Sequence, residues 1–133
     1  MPKAVASSKQ ERFELKSLPK SEEDEGGFVV LRRMTYGQKL ARMDMATQST
    51  LRQQGGSKNV NDAEMDIKML NRAVAEFEFK HCVVEHNLQN EAGKPLNFSS
   101  PQTLDVLDPR VGDEIAQYIG DMNNFDEEDE SGN

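Results

Sequence analysis

A mainly α-helical small domain is what this sequence predicts, with a short N-terminal β-hairpin and disordered tails, and three observations carry that expectation. Val60, Ala63, Ile67, Leu70, Val74, Phe77, His81, Val84 and Leu88 recur at alternating spacings of three and four, which aligns them on one face of a helix over about 62–87. Tyr36, Leu40, Met43, Thr47 and Leu51 fall on one helical face upstream at spacings of three and four, and Val111, Ile115, Tyr118, Ile119 and Met122 form another such face downstream. Hydrophobic residues make up 35% of the 133 positions and Trp is absent, so the core they build is small.

The elements follow in order. Residues 1–11 are small, polar and basic, a composition that predicts a flexible N-terminus. FELKSLP (13–19) alternates at its start, with Phe13 and Leu15 on one side, FVVLRRM (28–34) opens apolar and β-branched, and the two flank the acidic, glycine-closed loop SEEDEGG, the arrangement of a hairpin with a long connection. Thr35 and Gln38 form the Ser/Thr-x-x-Glu/Gln signature of a capping box, so the first helix starts there, and Gly55-Gly56 stops it. Asn61 or Asp62 can cap the long second helix, whose heptad-like repeat suits packing against another long helix. The first helix is the internal candidate for that role. Met65, Met69 and Phe79 fall off the main stripe and suggest a second buried face.

NEAGKP (90–95) reads as a turn. Ser100-Pro101 and Asp108-Pro109 each place a capping residue before a proline, the pattern that opens a helix. The first such helix is short, to about Leu107. The second carries the Val111–Met122 face, with Asp113 and Glu114 near its positive end. Residues 126–130 are five consecutive acids without periodicity. The organisation expected is a flexible basic N-terminus over 1–11, a single mainly helical domain over 12–124, and a disordered acidic tail over 125–133.

Charge and chemistry exclude more than they assert. The formal charge is −8, but the acids concentrate in 22–25 and 126–130 and leave the body nearly neutral. A nucleic-acid partner needs a basic stripe, which is missing, so none is expected. No apolar run approaches the length of a membrane span, and MPKAVASSKQ has no apolar signal region, so a membrane partner is not expected either. A single cysteine, Cys82, makes no internal disulfide and fits a reducing compartment.

His81, Cys82, Glu85 and His86 form the one cluster that resembles a site. On a continuous helix Cys82 and His86 would share a face at i,i+4. One Cys and two His are too few for a closed zinc site, and a cysteine in mid-helix has nothing to activate it. The bland assignment is favoured: His81 a packed residue with its polar edge paired, Cys82 a small buried hydrophobe. Phosphate loops, nucleophile elbows and zinc-protease motifs are absent from the sequence. No catalytic residue, cofactor or metal ligand is assigned, and the expectation is a non-enzymatic interaction protein.

Three stretches carry a family likeness: VVLRRMTYGQKLARMDMATQ (29–48), FEFKHCVVEHNLQNEAGKPLNFSSP (77–101), and LDPRVGDEIAQYIGDMNNF (107–125) with the acids after it. In these, and in the order of its elements, the chain resembles the tail assembly chaperones of long-tailed, siphovirus-like bacteriophages. That resemblance implies a protein of the infected host's cytoplasm, absent from the mature virion. It would bind the tape measure protein, keep it soluble, and help recruit tail tube protein. Many such families also make a longer product by ribosomal frameshifting. The acidic tail would then solubilise the short form and link the long one. Leu40, Met43, Ile67, Leu70, Val74, Phe77, Val84 and Leu88 are the candidate partner-binding residues, with self-association as a further use of the same apolar surface. The alternative is a structural head–tail connector or tail completion adaptor retained in the particle.

Overall fold

The computed structural model describes residues 2–6, 9–54 and 60–123, with side chains omitted for 46–54 and 60–70. Two strands come first, β1 (Glu11–Glu14) and β2 (Phe28–Leu31). Helices α1 (Tyr36–Gln54) and α2 (Val60–Cys82) follow, and α2 runs directly into β3 (Val83–His86). Helices α3 (Pro101–Val106) and α4 (Pro109–Asn123) complete the described chain.

The expected hairpin is present, and Phe13 lies opposite Val29 in its antiparallel register. Its long connection closes through backbone bonds, Leu15 N–H to Gly27 O and Gly27 N–H to Leu18 O, both 2.9 Å. Gly26 makes that closure with a φ of 79°. A Cβ there would stand 2.9 Å from the Lys20 nitrogen, so the loop needs glycine on both counts.

The main departure from expectation is the end of the second helix. The apolar spacing predicts helix to about residue 87, whereas α2 stops at Cys82 and Val83–His86 pairs antiparallel with β2 as the third strand. The reason is long-range. Arg32, just beyond β2, donates its backbone N–H to Cys82 O at 3.0 Å and its Nε–H to His81 O at 2.8 Å. Two carbonyls of the last helical turn are thereby satisfied from outside the helix. The β-branched pair Val83-Val84 then suits a strand better than another turn. The sheet supplies much of the core, so the fold combines helices and sheet and is not simply mainly α. At the other end α2 begins at Val60, which puts Asn61 and Asp62 inside the helix and not at its cap.

Helix α4 lies on the inner face of the sheet. Val111, Ile115 and Ile119 are buried against Leu15, Val29 and Leu31, and Tyr118 stacks on Phe13 with ring centroids 4.5 Å apart. Phe79 and Cys82 on α2, with Leu88 and Phe98 beyond β3, close the core. Phe79 is thus buried although it lies off the main stripe, while Met65 and Met69, expected to share a second buried face with it, lie outside the described side chains. Helix α3 ends at Val106, as its Pro start and length predict, although the Ser100 hydroxyl donates to Gln102 Oε1 and makes no bond to a helix N–H.

Polar side chains tie these pieces together. Glu114 on α4 accepts the backbone N–H groups of Lys16 and Ser17, at 2.7 and 2.8 Å, with the hydroxyls of Ser17 and Tyr118. Asn87 accepts the Phe28 N–H at 2.9 Å and donates to Gly26 O at 2.8 Å, continuing the sheet by side chain. Asn123 accepts the Met34 N–H at 2.9 Å and donates to Ile119 O, locking the end of α4 to the approach to α1. The flexible tail expected over 125–133 and the glycine stop at Gly55-Gly56 lie outside the described residues.

Candidate partner-binding face

The capping box forms as its residue types require: Gln38 N–H donates to Thr35 Oγ1 at 3.2 Å, and Thr35 N–H to Gln38 Oε1 at 3.0 Å. This start fixes the rotation of α1. Gln38 and Arg42 then face α2, where the Gln38 amide meets His81 Nδ1 at 3.2 Å and Arg42 Nε donates to Glu78 Oε1 at 2.6 Å. Within α2, the Phe77 and His81 rings pack with centroids 4.4 Å apart. Burial pushes the His81 imidazole below its ordinary pKa, and the charges of Lys80 and Arg32 push the same way. Two contacts across the described part of the seam are therefore polar.

The consequence appears on the opposite side of α1. Tyr36, Leu40 and Met43, at spacings of four and three, stand 71%, 42% and 50% exposed. The apolar face read in the sequence exists, but over these residues it points to solvent and α2 packs on another side. Leu40 and Met43 are the expected members of a binding surface. Tyr36 is expected only as part of the helical face, although its spacing from Leu40 is the signal that groups it with them.

The remaining candidates are dispersed. Val74 and Phe77 are half-buried on α2, with Phe77 packed against the core cluster. Val84 is 42% exposed, but on β3 instead of a helix, so it does not continue their stripe. Leu88 is 6% exposed and packs in the core, and the surface it keeps lines the pocket described next, away from the helical stripe. Ile67 and Leu70 lie outside the described side chains. A second apolar feature, which spacing did not reveal, is an open pocket of about 630 Å³ lined by Leu18, Leu96, Val106 and Leu107 among others.

The His81–Cys82–Glu85–His86 cluster does not assemble into a site. The helix ends between Cys82 and His86, so they share no helical face. His86 Nε2 donates to Leu96 O at 2.9 Å while its Nδ1 accepts the Leu88 N–H at 3.0 Å, a pattern that requires the neutral ring. Burial accordingly lowers its pKa, against the opposing pull of Leu96 O. Burial, with the Glu78 charge, pushes the Cys82 thiol up to about 11, so the thiolate is scarce near neutral pH. Among the described residues no group of three or more His, Cys, Asp or Glu is placed to hold a metal ion. No described helix is long and apolar enough to cross a membrane.

No protein-family model, curated protein or solved structure matches this chain.

Proposed function

We propose that this protein is a tail assembly chaperone of a long-tailed bacteriophage, binding helical, apolar segments of the tape measure protein through the outer face of α1. The observation that carries the reading is the exposed Tyr36–Leu40–Met43 stripe, backed by two polar contacts to α2. An amphipathic helix laid against such a stripe buries apolar area on both partners, the usual mode of helix recognition. The binding face sits on a helix held by a capping box and an ion pair, so little order has to be gained on binding. In this reading the protein acts in the host cytoplasm, keeps the tape measure soluble while tail tube protein assembles around it, and leaves before the virion is complete. Its apolar faces also permit self-association.

The test is co-expression with the tape measure protein of the same phage, followed by affinity purification and analysis of purified virions. Solubilisation and co-purification of the tape measure, with this protein absent from virions, is the expected result. An insoluble, unbound tape measure beside a folded partner, or stoichiometric incorporation into virions, would replace the chaperone by a structural adaptor.

A further inference from the structure

Strand β1 pairs with β2 on one side and, among the described residues, with no strand on the other. The register says which backbone groups that free edge presents. Leu15 donates its N–H to Gly27 O, and Leu15 lies two residues beyond Phe13 on the same side of the strand, so the alternation of an antiparallel ladder turns the N–H and C=O of Phe13 toward β2. Those of Arg12 and Glu14 point the other way, off the edge. The side chains of Arg12 and Glu14 share the sheet face opposite α4 and are 57% and 69% exposed. Phe13 faces α4, half-buried against Tyr118. A short edge strand is ordinarily guarded by like charges that repel a second strand. Here the two guarding charges are of opposite sign.

We propose that the free edge of β1 pairs antiparallel with β1 of a second copy of this chain, about a two-fold axis through Phe13, and joins the two sheets into one. The charges select this occupant and this register. Centred on Phe13, the pairing sets Arg12 opposite Glu14 of the second copy and Glu14 opposite its Arg12. Centred on Arg12 or on Glu14, it would set like charges face to face, which disfavours both alternatives. The backbone agrees with the same centre. Arg12 and Glu14 are the residues whose N–H and C=O point outward, so each forms a hydrogen-bonded pair with its opposite number, and Phe13 meets Phe13 of the second copy as the closer, non-hydrogen-bonded pair. The contact is isologous and closes at two copies. Within one copy Arg12 Nε donates to Glu14 Oε1 at 2.8 Å, with the guanidinium over the Phe28 ring at 3.8 Å. That bond uses one nitrogen of a guanidinium with five N–H donors and one oxygen of a carboxylate, so both groups can also bond across the axis. On the other face each Phe13 ring, stacked on its own Tyr118 at 4.5 Å, covers the exposed side of its counterpart. Four residues of strand bury less than the roughly 1,200 Å² of a stable interface, so the contact is weak and reversible. It is separate from the α1 stripe and needs no external partner.

The experiment uses the full chain in sedimentation equilibrium and amide proton–nitrogen spectra, over a dilution series from micromolar to millimolar. The parent should dimerise as concentration rises, and the amides of Arg12 and Glu14 should shift and slow their exchange with solvent. The Phe13 amide, already bonded to β2, should keep its exchange rate. Arg12→Glu and Glu14→Arg each place like charges at both ends of the pairing, and each alone should weaken dimerisation roughly tenfold. Mixed together, the two variants are complementary again and should associate with each other as tightly as the parent does with itself. A general disturbance of the fold could not produce that rescue. A parent that stays monomeric at millimolar concentration, a dimer that leaves the Arg12 and Glu14 amides unchanged while those of residues 36–43 move, or variants whose mixing restores nothing, each overturns the proposal. The exchange rates of the parent carry the test by themselves if a variant fails to fold. None of these results bears on co-purification with the tape measure, so the two readings fail separately.

Discussion

Ser17 delivers both its backbone N–H and its hydroxyl to the same oxygen of Glu114, each at 2.8 Å, across 97 residues of sequence. The other carboxylate oxygen takes the Lys16 N–H and the Tyr118 hydroxyl. Four donors thus converge on one side chain, joining the turn after β1 to α4. Partial burial alone would raise the carboxyl pKa, but the hydrogen bonds from Tyr118, Lys16 and Ser17 outweigh it and bring Glu114 down to about 2. The same contact holds the Tyr118 hydroxyl up at about 12.

The stability of the domain should follow that carboxylate. Because the folded-state pKa lies below the unfolded one, the native state binds fewer protons in acid. The contribution is fully present above the ordinary Glu pKa near 4.5 and is lost as pH falls toward 2. Glu114→Gln offers one acceptor oxygen where the carboxylate offers two, and turns an N–H₂ toward donors. It should cost about 2 kcal/mol at pH 7, and denaturant unfolding from pH 5 to 2 should show a shallower acid decline than the parent. An unchanged acid profile in the variant would assign the decline to other groups.

Two glycines should respond in opposite directions. Gly26 needs its positive φ and has no room for a Cβ, so Gly26→Ala should destabilise by about 2 kcal/mol. Gly120 sits within α4, and an added methyl group would meet nothing within 4 Å, so Gly120→Ala should stabilise by about 1 kcal/mol through helix propensity. Thermal unfolding of the two variants checks both signs.

What the sequence disclosed and what it concealed divide along locality. The capping box at Thr35 and Gln38 and the buried face of Val111, Ile115 and Ile119 depend on neighbours within one or two turns, and both were legible. The end of α2 was not. Val84 and Leu88 extend the helical spacing by coincidence, and the pairing with β2 and the bonds from Arg32 that end the helix come from residues some fifty positions away. The same holds for Glu114 and Asn87, whose partners are distant and leave no periodic mark. For the candidate face, spacing grouped Tyr36, Leu40 and Met43 correctly on one side of α1. It could not say which side would meet α2, because the contacts that decide this, Gln38 with His81 and Arg42 with Glu78, are polar.

His86 should report the integrity of the β3 end of the core. Its two ring bonds admit only the neutral form protonated at Nε2. Since burial lowers its folded-state pKa, this stability is present above the ordinary value of 6.5 and is lost as pH falls through the folded-state pKa. Long-range proton–nitrogen spectra at pH 7 should show the Nε2–H tautomer, and the ring should titrate below 6.5. A titration at or above 6.5 would mean that the bonds to Leu96 O and Leu88 N–H do not persist in solution.

The outer face of α1 and the core face of α2 should separate binding from folding. Tyr36, Leu40 and Met43 are exposed, and replacing all three by Ser removes little buried surface, so unfolding stability should change by only about 1 kcal/mol. The same triple change removes the apolar stripe that a helical ligand would cover. If the proposed chaperone function holds, it should weaken binding of the tape measure protein by about 3 kcal/mol, roughly a hundredfold. Phe79 is 3% exposed and packs against Phe98 with ring centroids 5.7 Å apart. Phe79→Ala should cost about 4 kcal/mol of stability through the cavity it leaves, with any loss of binding tracking the loss of folded protein. Calorimetric titration beside chemical denaturation reads both effects. A triple variant that folds and still binds at parental affinity would move the docking surface off α1 and onto another apolar feature, with the pocket beside Val106 and Leu107 the next to be altered.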